Sequence, residues 1–200
     1  MSHNTWIHRL VQPLVRPLVG SPVQPNHITT LRLATGLGAA AAYADGRPVW
    51  LTVGGFLFII SMLLDRADGI LARLSGKMSK FGHYYDLISD SFCNALIFTG
   101  LGIGLHDGPI GWWSAGLGLI AGISVVFILG VVMWAEAQKG QRAAELQSVA
   151  GFDAEDSTVL IPICVWLGWG LPLLYVSATV TPLFALYFVW LHRRMLRPAA

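Results

Sequence analysis

Charged side chains are scarce in this sequence. Only 12% of its 200 residues are Asp, Glu, Lys or Arg, whereas a soluble protein carries about 25%. Hydrophobic residues make up 54% of the chain, and the mean hydropathy is +0.61. Several apolar runs approach the roughly 20 residues that a membrane-spanning helix requires. The composition therefore excludes a water-soluble surface and predicts an all-α integral membrane protein.

Cysteine is nearly absent as well. The two cysteines, Cys93 and Cys164, both lie within apolar runs. They do not have the spacing of metal-ligating cysteines, and they do not form the pattern of a disulfide framework. We therefore interpret both as small buried hydrophobic residues.

Six apolar runs predict six transmembrane helices in a single membrane domain that fills residues 1–200. The expected spans lie near residues 25–43, 49–64, 80–105, 110–134, 157–167 and 173–191. The second run leads directly into an acidic stretch, and the third begins inside that stretch. The fifth run is short for a membrane span.

Residues 1–20 precede these spans and are too short and too interrupted to cross a bilayer. Trp6, Leu10, Leu14 and Leu18 recur at helical spacing, and two prolines interrupt the segment. The pattern favours an N-terminal interfacial helix that lies in the headgroup region. The alternative is an irregular arm on the surface.

Basic residues predict the orientation, because Lys and Arg concentrate on the cytoplasmic side of membrane proteins. In the six-span arrangement only Arg47 falls on the opposite side. We therefore expect the acidic stretch and both termini to be cytoplasmic. The residues on the predicted cytoplasmic side are Arg9, Arg16, Arg32, Arg73, Lys77, Lys80, Lys139, Arg142, Arg193, Arg194 and Arg197, with Arg66 close by.

The acidic stretch holds four aspartates at helical spacing. Asp65 and Asp68 share one helix face, and so do Asp86 and Asp90. The connection between the two helices is short, so the two acidic faces are expected to meet. Four adjacent carboxylates repel one another unless cations neutralise them, and their oxygens suit Mg²⁺ or Mn²⁺. The pattern predicts a site for two divalent cations, which would act together on a phosphate.

Small residues and an arginine accompany these acids. Gly69, Ala72 and Gly82 leave room for a ligand beside the backbone. Arg73 supplies a permanently charged donor that suits a phosphate. Together these residues predict a site for a metal-bound diphosphate that faces the cytoplasm. The alternative is that the acids form structural ion pairs with the cations of the same stretch, which are Arg66, Arg73, Lys77 and Lys80.

The stretch resembles the signature of the CDP-alcohol phosphotransferases. The pattern D-x2-D-G-x2-A-R-x8-G-x3-D-x3-D matches at all eight fixed positions, from Asp65 to Asp90. The likeness extends to the six-helix hydropathy, to the N-terminal segment and to Pro25, Asn26 and Thr29 at the first span. Members of that family transfer a substituted phosphate from a CDP-linked donor to an alcohol and release CMP.

The resemblance implies roles for individual residues. Asp65, Asp68, Asp86 and Asp90 would hold two Mg²⁺ or Mn²⁺ ions, and Asp90 would also be the base that takes the proton of the acceptor. The nucleotide and its diphosphate would be bound by Asn26, Thr29, Gly69, Ala72, Arg73 and Gly82.

The substrates follow less directly. We expect CDP-diacylglycerol as the donor and a small polar alcohol as the acceptor, as in prokaryotic phospholipid synthesis at the plasma membrane. The alternative within the family transfers a phospho-alcohol from a soluble CDP-alcohol to a lipid. Candidate acceptor-binding residues are Lys77, Lys80, His83, Lys139 and Arg142, although the positive charges among them are equally expected from membrane topology.

Two other classes of protein remain as alternatives. A cation transporter would use the acids as its ion path, but its acids would be spread through the depth of the membrane. A structural membrane protein would retain the motif without activity. The expected partners are the substrates and the lipid bilayer, with a homodimer as a further expectation from the family and no nucleic acid.

Overall fold

A computed structural model describes the backbone of residues 6–139 and 158–192, and the side chains of residues 10–137 and 158–190. All regular structure in these residues is helical. A short 3-10 turn, Arg16–Leu18, follows the first helix. The helices are α1 (Trp6–Val15), α2 (Pro25–Asp45), α3 (Pro48–Leu74), α4 (Lys80–Gly104), α5 (Trp113–Lys139), α6 (Leu160–Trp166) and α7 (Gly170–His192).

Four of the described helices, α3, α4, α5 and α7, are long and apolar enough to cross a membrane. They correspond to the second, third, fourth and sixth predicted spans, which confirms an all-helical integral membrane protein. Helix α2 has 21 residues but is rich in Ala, Gly and Thr, and α6 has only 7 residues. That α2 and α6 cross the membrane stays a prediction, and so does the count of six spans.

Several helix ends differ from those expected. Helix α3 continues through the first pair of aspartates to Leu74, and α5 continues past Trp134 to Lys139. Helix α7 begins at Gly170, inside the expected turn. Pro172 can lie within its first turn, because a proline there costs no hydrogen bond. The functional stretch therefore lies on helices that extend the membrane spans, rather than on a separate loop.

Helix α2 packs between α3 and α4 and forms the centre of the described bundle. Its Ala39, Ala40 and Tyr43 join a core that includes Phe58 of α3 and Leu101 of α4. Small residues permit close approach of helices in a membrane. A Cβ atom at Gly100 would lie only 2.3 Å from the carbonyl oxygen of Ala40. The backbones of α2 and α4 are therefore in direct contact.

Helix α1 packs beside the signature end of α3. Val11 and Val15 are buried against Ile70 and Leu71 of α3. On another face of α1, Leu10 and Leu14 are 56% and 71% exposed. A helix is thus present where one was expected, with apolar side chains left for lipid, but its position in the headgroup region stays a prediction.

The close contact of α2 with α4 gives a prediction about stability. Gly100→Ala is expected to lower the free energy of unfolding by about 1–3 kcal/mol, because the added methyl group forces two backbones apart. Gly130→Ala in α5 is the matched control, since nothing lies within 4 Å of the added Cβ. Thermal unfolding in detergent would measure both variants, and equal melting temperatures would contradict the packing described for α2.

Candidate active site

The turn between α3 and α4 brings the two pairs of aspartates to the same end of the bundle. Gly76 has a φ of +67°, a conformation that favours glycine. The amide of Gly82 donates a hydrogen bond of 2.9 Å to the Oγ of Ser79, which caps the start of α4. The chain reverses over a few residues, as the sequence predicted.

Arg32 of α2 lies among the aspartates. Its Nη1 atom is 3.1 Å from Oδ1 of Asp65 and 2.9 Å from Oδ1 of Asp86, and its Nη2 atom is 2.5 Å from Oδ1 of Asp90. The Arg32 side chain is 3% exposed. Nη1 also donates to the backbone carbonyl of Asp86 at 3.2 Å. Three carboxylates from two helices thus converge on one cation from a third helix.

The fourth aspartate, Asp68, is also held by α2. The hydroxyl of Thr29 donates a hydrogen bond of 2.6 Å to Oδ2 of Asp68. Both residues are buried, at 2% and 3% exposure. Thr29 lies three residues before Arg32, so both side chains project from one face of α2. That face contacts all four acids.

Asp90 has a second partner on its own helix. The side-chain amide of Asn94 donates to Oδ1 of Asp90 at 3.0 Å, one helical turn further along α4. Arg32 contacts the same oxygen. These contacts fix the orientation of the carboxylate that the family resemblance makes the base.

The other predicted nucleotide-binding residues lie in pairs near the acids. A Cβ atom at Gly82 would lie 3.1 Å from Oδ1 of Asn26, and one at Gly69 would lie 3.4 Å from Nη1 of Arg73. Ala72 is half-buried on α3. The structure brings Asn26 to Gly82 and Gly69 to Arg73, while their roles in binding stay predictions.

The predicted acceptor-binding residues are less closely grouped. Lys77 and Lys80 are exposed at the turn. The Nε2 atom of His83 lies 2.9 Å from Oε2 of Glu136, a buried carboxylate of α5. The side chain of Lys139 and the whole of Arg142 lie outside the described residues. The described residues therefore give only His83 a place in a structured contact.

The acids have a partner that the ion-pair alternative did not include. That alternative named Arg66, Arg73, Lys77 and Lys80, and Arg32 of α2 contacts three of the four acids. Arg66 lines the small cavity beside Asp65 and Asp90. The central cation of the cluster thus comes from α2 and not from the signature itself.

The donor set suits a divalent cation. Carboxylate oxygens are the ligands that Mg²⁺ and Mn²⁺ prefer, and three of these carboxylates already surround one positive group. Among the described residues, no three acidic, His or Cys side chains are arranged closely enough to hold a metal ion. The carboxylates are spaced around a guanidinium, so metal binding would require them to rearrange.

Sequence reasoning missed three residues of this site, namely Arg32, Asn94 and Glu136. The pattern of basic residues gives Arg32 only a topological role, although its spacing from Thr29 places it on the signature-facing side of α2. Asn94 follows Asp90 by one turn, which is a usable signal. Glu136 is an acid near the end of a long apolar run, and such residues merit attention by default.

Comparison with known proteins identifies the family. The family model for CDP-alcohol phosphatidyltransferases matches residues 23–191. The archaetidylinositol phosphate synthase of Pyrococcus horikoshii is 28% identical over 172 residues, which cover 80% of this chain and 88% of that protein. The bifunctional IPC transferase and DIPP synthase of Thermococcus kodakarensis is 29% identical over 60% of this chain.

Solved structures share the fold. The phosphatidylinositol phosphate synthase of Mycobacterium tuberculosis, solved with CDP-DAG bound, superposes with a TM-score of 0.67 at 22% identity over 91% of this chain and 94% of that one. The same enzyme in complex with manganese and citrate gives a TM-score of 0.69 at 21% identity, covering 90% and 88%.

The chain therefore belongs to the CDP-alcohol phosphatidyltransferase family, a family of membrane transferases. The matching segment covers only 27% of the Thermococcus kodakarensis protein. It covers 48% of an uncharacterised protein of Aquifex aeolicus that is 34% identical over 99 residues, or 49% of this chain. The family is established by the match over most of this chain, and the particular substrates are a separate question.

The contact between α2 and Asp68 gives a second prediction. Thr29→Val keeps the shape of the side chain but leaves a buried carboxylate without its short hydrogen bond. We expect the free energy of unfolding to fall by about 1–3 kcal/mol. Thr35→Val, on the same helix, is the control, because the Thr35 hydroxyl bonds to the carbonyls of Leu31 and Arg32 in α2 itself. If both variants unfold alike, the Thr29 contact does not stabilise the site.

Proposed function

We propose that this protein transfers a phosphatidyl group from CDP-diacylglycerol to the hydroxyl of a small polar alcohol, with release of CMP. The observation that carries the proposal is the convergence of Asp65, Asp86 and Asp90 on one buried cation. Asp68 completes the set through its bond to Thr29. A cluster of hard oxygen ligands at one end of a membrane bundle suits a substrate with a lipid tail and a charged diphosphate.

The four aspartates would hold two Mg²⁺ or Mn²⁺ ions. Such ions offset the charge of a diphosphate and stabilise the leaving phosphate oxygen. Arg73, which lies beside Gly69, would contribute a fixed positive charge to the same phosphates. Asn26 and Gly82, which lie together, would contact the nucleotide with Thr29, Gly69 and Ala72.

Asp90 would act as the base. Asn94 and Arg32 both contact its Oδ1 atom, so Oδ2 is the oxygen that we propose takes the proton. The acceptor oxygen then forms a bond to the phosphorus of the phosphatidyl group. The bond from that phosphorus to the CMP oxygen breaks, and the released CMP carries the displaced electron pair. A positioned base is worth about 10²–10⁴-fold in such a step.

The choice of a lipid donor is supported by the relatives. The Mycobacterium tuberculosis enzyme, which shares this fold, was solved with CDP-DAG bound, and the Pyrococcus horikoshii relative is an archaetidylinositol phosphate synthase. We therefore place inositol phosphate first among the acceptors to be tested. Lys77, Lys80, His83, Lys139 and Arg142 are the residues proposed to meet a phosphorylated acceptor.

The location of the site in the membrane follows from charge. We propose that α2 and α6 also cross the bilayer, which gives six spans, and that α1 lies in the headgroup region. The end of the bundle that holds the acids also holds Arg73, Lys77 and Lys80, whereas Arg47 lies beyond the other end of α2. We accordingly place the site and both termini on the cytoplasmic side of a prokaryotic plasma membrane, with a homodimer as the assembly to be tested.

The cation-transporter alternative has less support. A transporter that used these acids would need ionisable groups along the depth of its spans. The four aspartates lie instead in the second half of α3 and the first half of α4, toward one end of the bundle. The assays below test the other alternative, an inactive structural protein.

We expect Asp68→Asn to reduce CMP release by at least ~100-fold. Loss of a residue that only supports a metal ligand can already cost that much. The variant should remain folded in detergent, because the amide keeps the shape of the carboxylate. Asp107→Asn, an exposed position at the other end of α4, is the matched control. Full turnover by Asp68→Asn, or by the native protein in excess EDTA, would remove the metal assignment.

The donor is tested by CMP release from purified protein with Mn²⁺. CDP-diacylglycerol, CDP-choline and CDP-ethanolamine would each be combined with glycerol phosphate, inositol phosphate, inositol, serine and diacylglycerol. We expect release only with CDP-diacylglycerol and one soluble acceptor. Release only from a soluble CDP-alcohol with diacylglycerol would reverse the direction of transfer. No release from folded protein would favour the inactive reading.

A further inference from the structure

Arg32 contacts the same carboxylate oxygens that the proposed metal site needs. Its two terminal nitrogens contact Asp65, Asp86 and Asp90, each through the Oδ1 atom, at 2.5 to 3.1 Å. The guanidinium is 3% exposed and comes from α2, whereas the acids come from α3 and α4. Arg32 is therefore a cation built into the centre of the site, and it lies outside the acidic signature.

A guanidinium in this position stabilises the acids. Carboxylates that are packed together without a cation are destabilised by mutual repulsion. Arg32 contacts three of them and also donates to the backbone carbonyl of Asp86. The charge of Arg32 thus helps to hold α2, α3 and α4 together at this end of the bundle.

The same position opposes a divalent cation. Mg²⁺ binds carboxylate oxygens at about 2.0–2.1 Å, so an ion on the Oδ1 atoms would lie within a few ångströms of the guanidinium. Two positive charges at that distance repel each other even where solvent partly screens them. A metal ion and Arg32 therefore cannot both make their best contacts with these oxygens.

A small cavity adjoins Arg32 between α3, α4 and the residues that precede α6. Its lining includes Ser61, Asn94 and Thr158, together with Asp65, Asp90 and Arg66 of the charged cluster itself. The guanidinium therefore has polar and acidic groups on this side as well, so displacement from one carboxylate oxygen does not leave it without polar neighbours.

From these observations we propose that Arg32 competes with divalent cations for the aspartate oxygens, and so sets the metal concentration at which the site fills. The inference rests on the proposed metal site. Arg32 is a positioning residue in this scheme: it keeps the acids together until metal replaces it. Loss of its charge should tighten metal binding. Loss of a residue that supports the metal ligands would instead weaken metal binding.

The test uses the full chain in detergent, with Mn²⁺ alone and no substrate. Electron paramagnetic resonance would measure free Mn²⁺, and thermal unfolding would be followed in EDTA and in Mn²⁺. Arg32→Gln removes the charge, and Arg32→Lys keeps a charge that cannot bridge three carboxylates. Arg47→Gln, whose guanidinium pairs with Asp45 at the other end of α2, is the control.

We expect Arg32→Gln to bind Mn²⁺ at least about tenfold more tightly than the native protein, because the nearest competing charge is gone. Its melting temperature should fall in EDTA and recover with Mn²⁺, while Arg47→Gln behaves as native. Unchanged or weaker Mn²⁺ binding by Arg32→Gln would overturn the inference. If that variant does not fold even with Mn²⁺, Arg32→Lys decides: tighter binding supports competition, and unchanged or weaker binding refutes it.

The same assay separates this inference from the proposed function. If the native protein binds no Mn²⁺, or if Asp68→Asn binds it as the native protein does, the metal site itself is refuted and the inference falls with it. If the native protein binds Mn²⁺ and Asp68→Asn does not, the metal site stands. The response of Arg32→Gln then judges the inference alone.

Discussion

The repulsion among four aspartates is the constraint on which the rest of this structure depends. Asp65 and Asp68 end one membrane helix, Asp86 and Asp90 begin the next, and the turn between the helices places them together. Helix α2 supplies the cation at the centre of this cluster. Arg32 contacts three of the acids and Thr29 the fourth. The site is therefore a property of three helices, although the signature spans only two.

The composition of α2 follows from this role. A helix that faces lipid on most sides must be strongly apolar, whereas a helix enclosed by protein can use small and polar residues. Helix α2 has Ala39 and Ala40 in the core and Gly36 against Cys93 of α4. Helix α2 lies between α3 and α4. That position explains both its low hydropathy and its polar face toward the acids.

The parts of the site that could be predicted from the sequence are those encoded locally. The spacing of the aspartates places each pair on one face of a helix, and the few residues after Leu74 leave room only for a turn. Arg32 could not be found in this way, because its partners Asp86 and Asp90 lie 54 and 58 residues further along the chain. The fifth apolar run shows the same limit: it predicts a helix, but the contact of Trp166 in α6 with Phe56 of α3 cannot be read from it.

One set of oxygens in this site therefore has several competing uses. Oδ1 of Asp90 accepts from Asn94 and contacts Arg32, yet the same carboxylate is the proposed metal ligand and base. In the proposed scheme these uses follow in order: metal would replace the guanidinium at Oδ1, and the acceptor would then meet Oδ2. A site assembled from an internal cation can stay folded before its metal and its charged substrate arrive. In that scheme it also yields when they arrive, because one side chain supplies the cation.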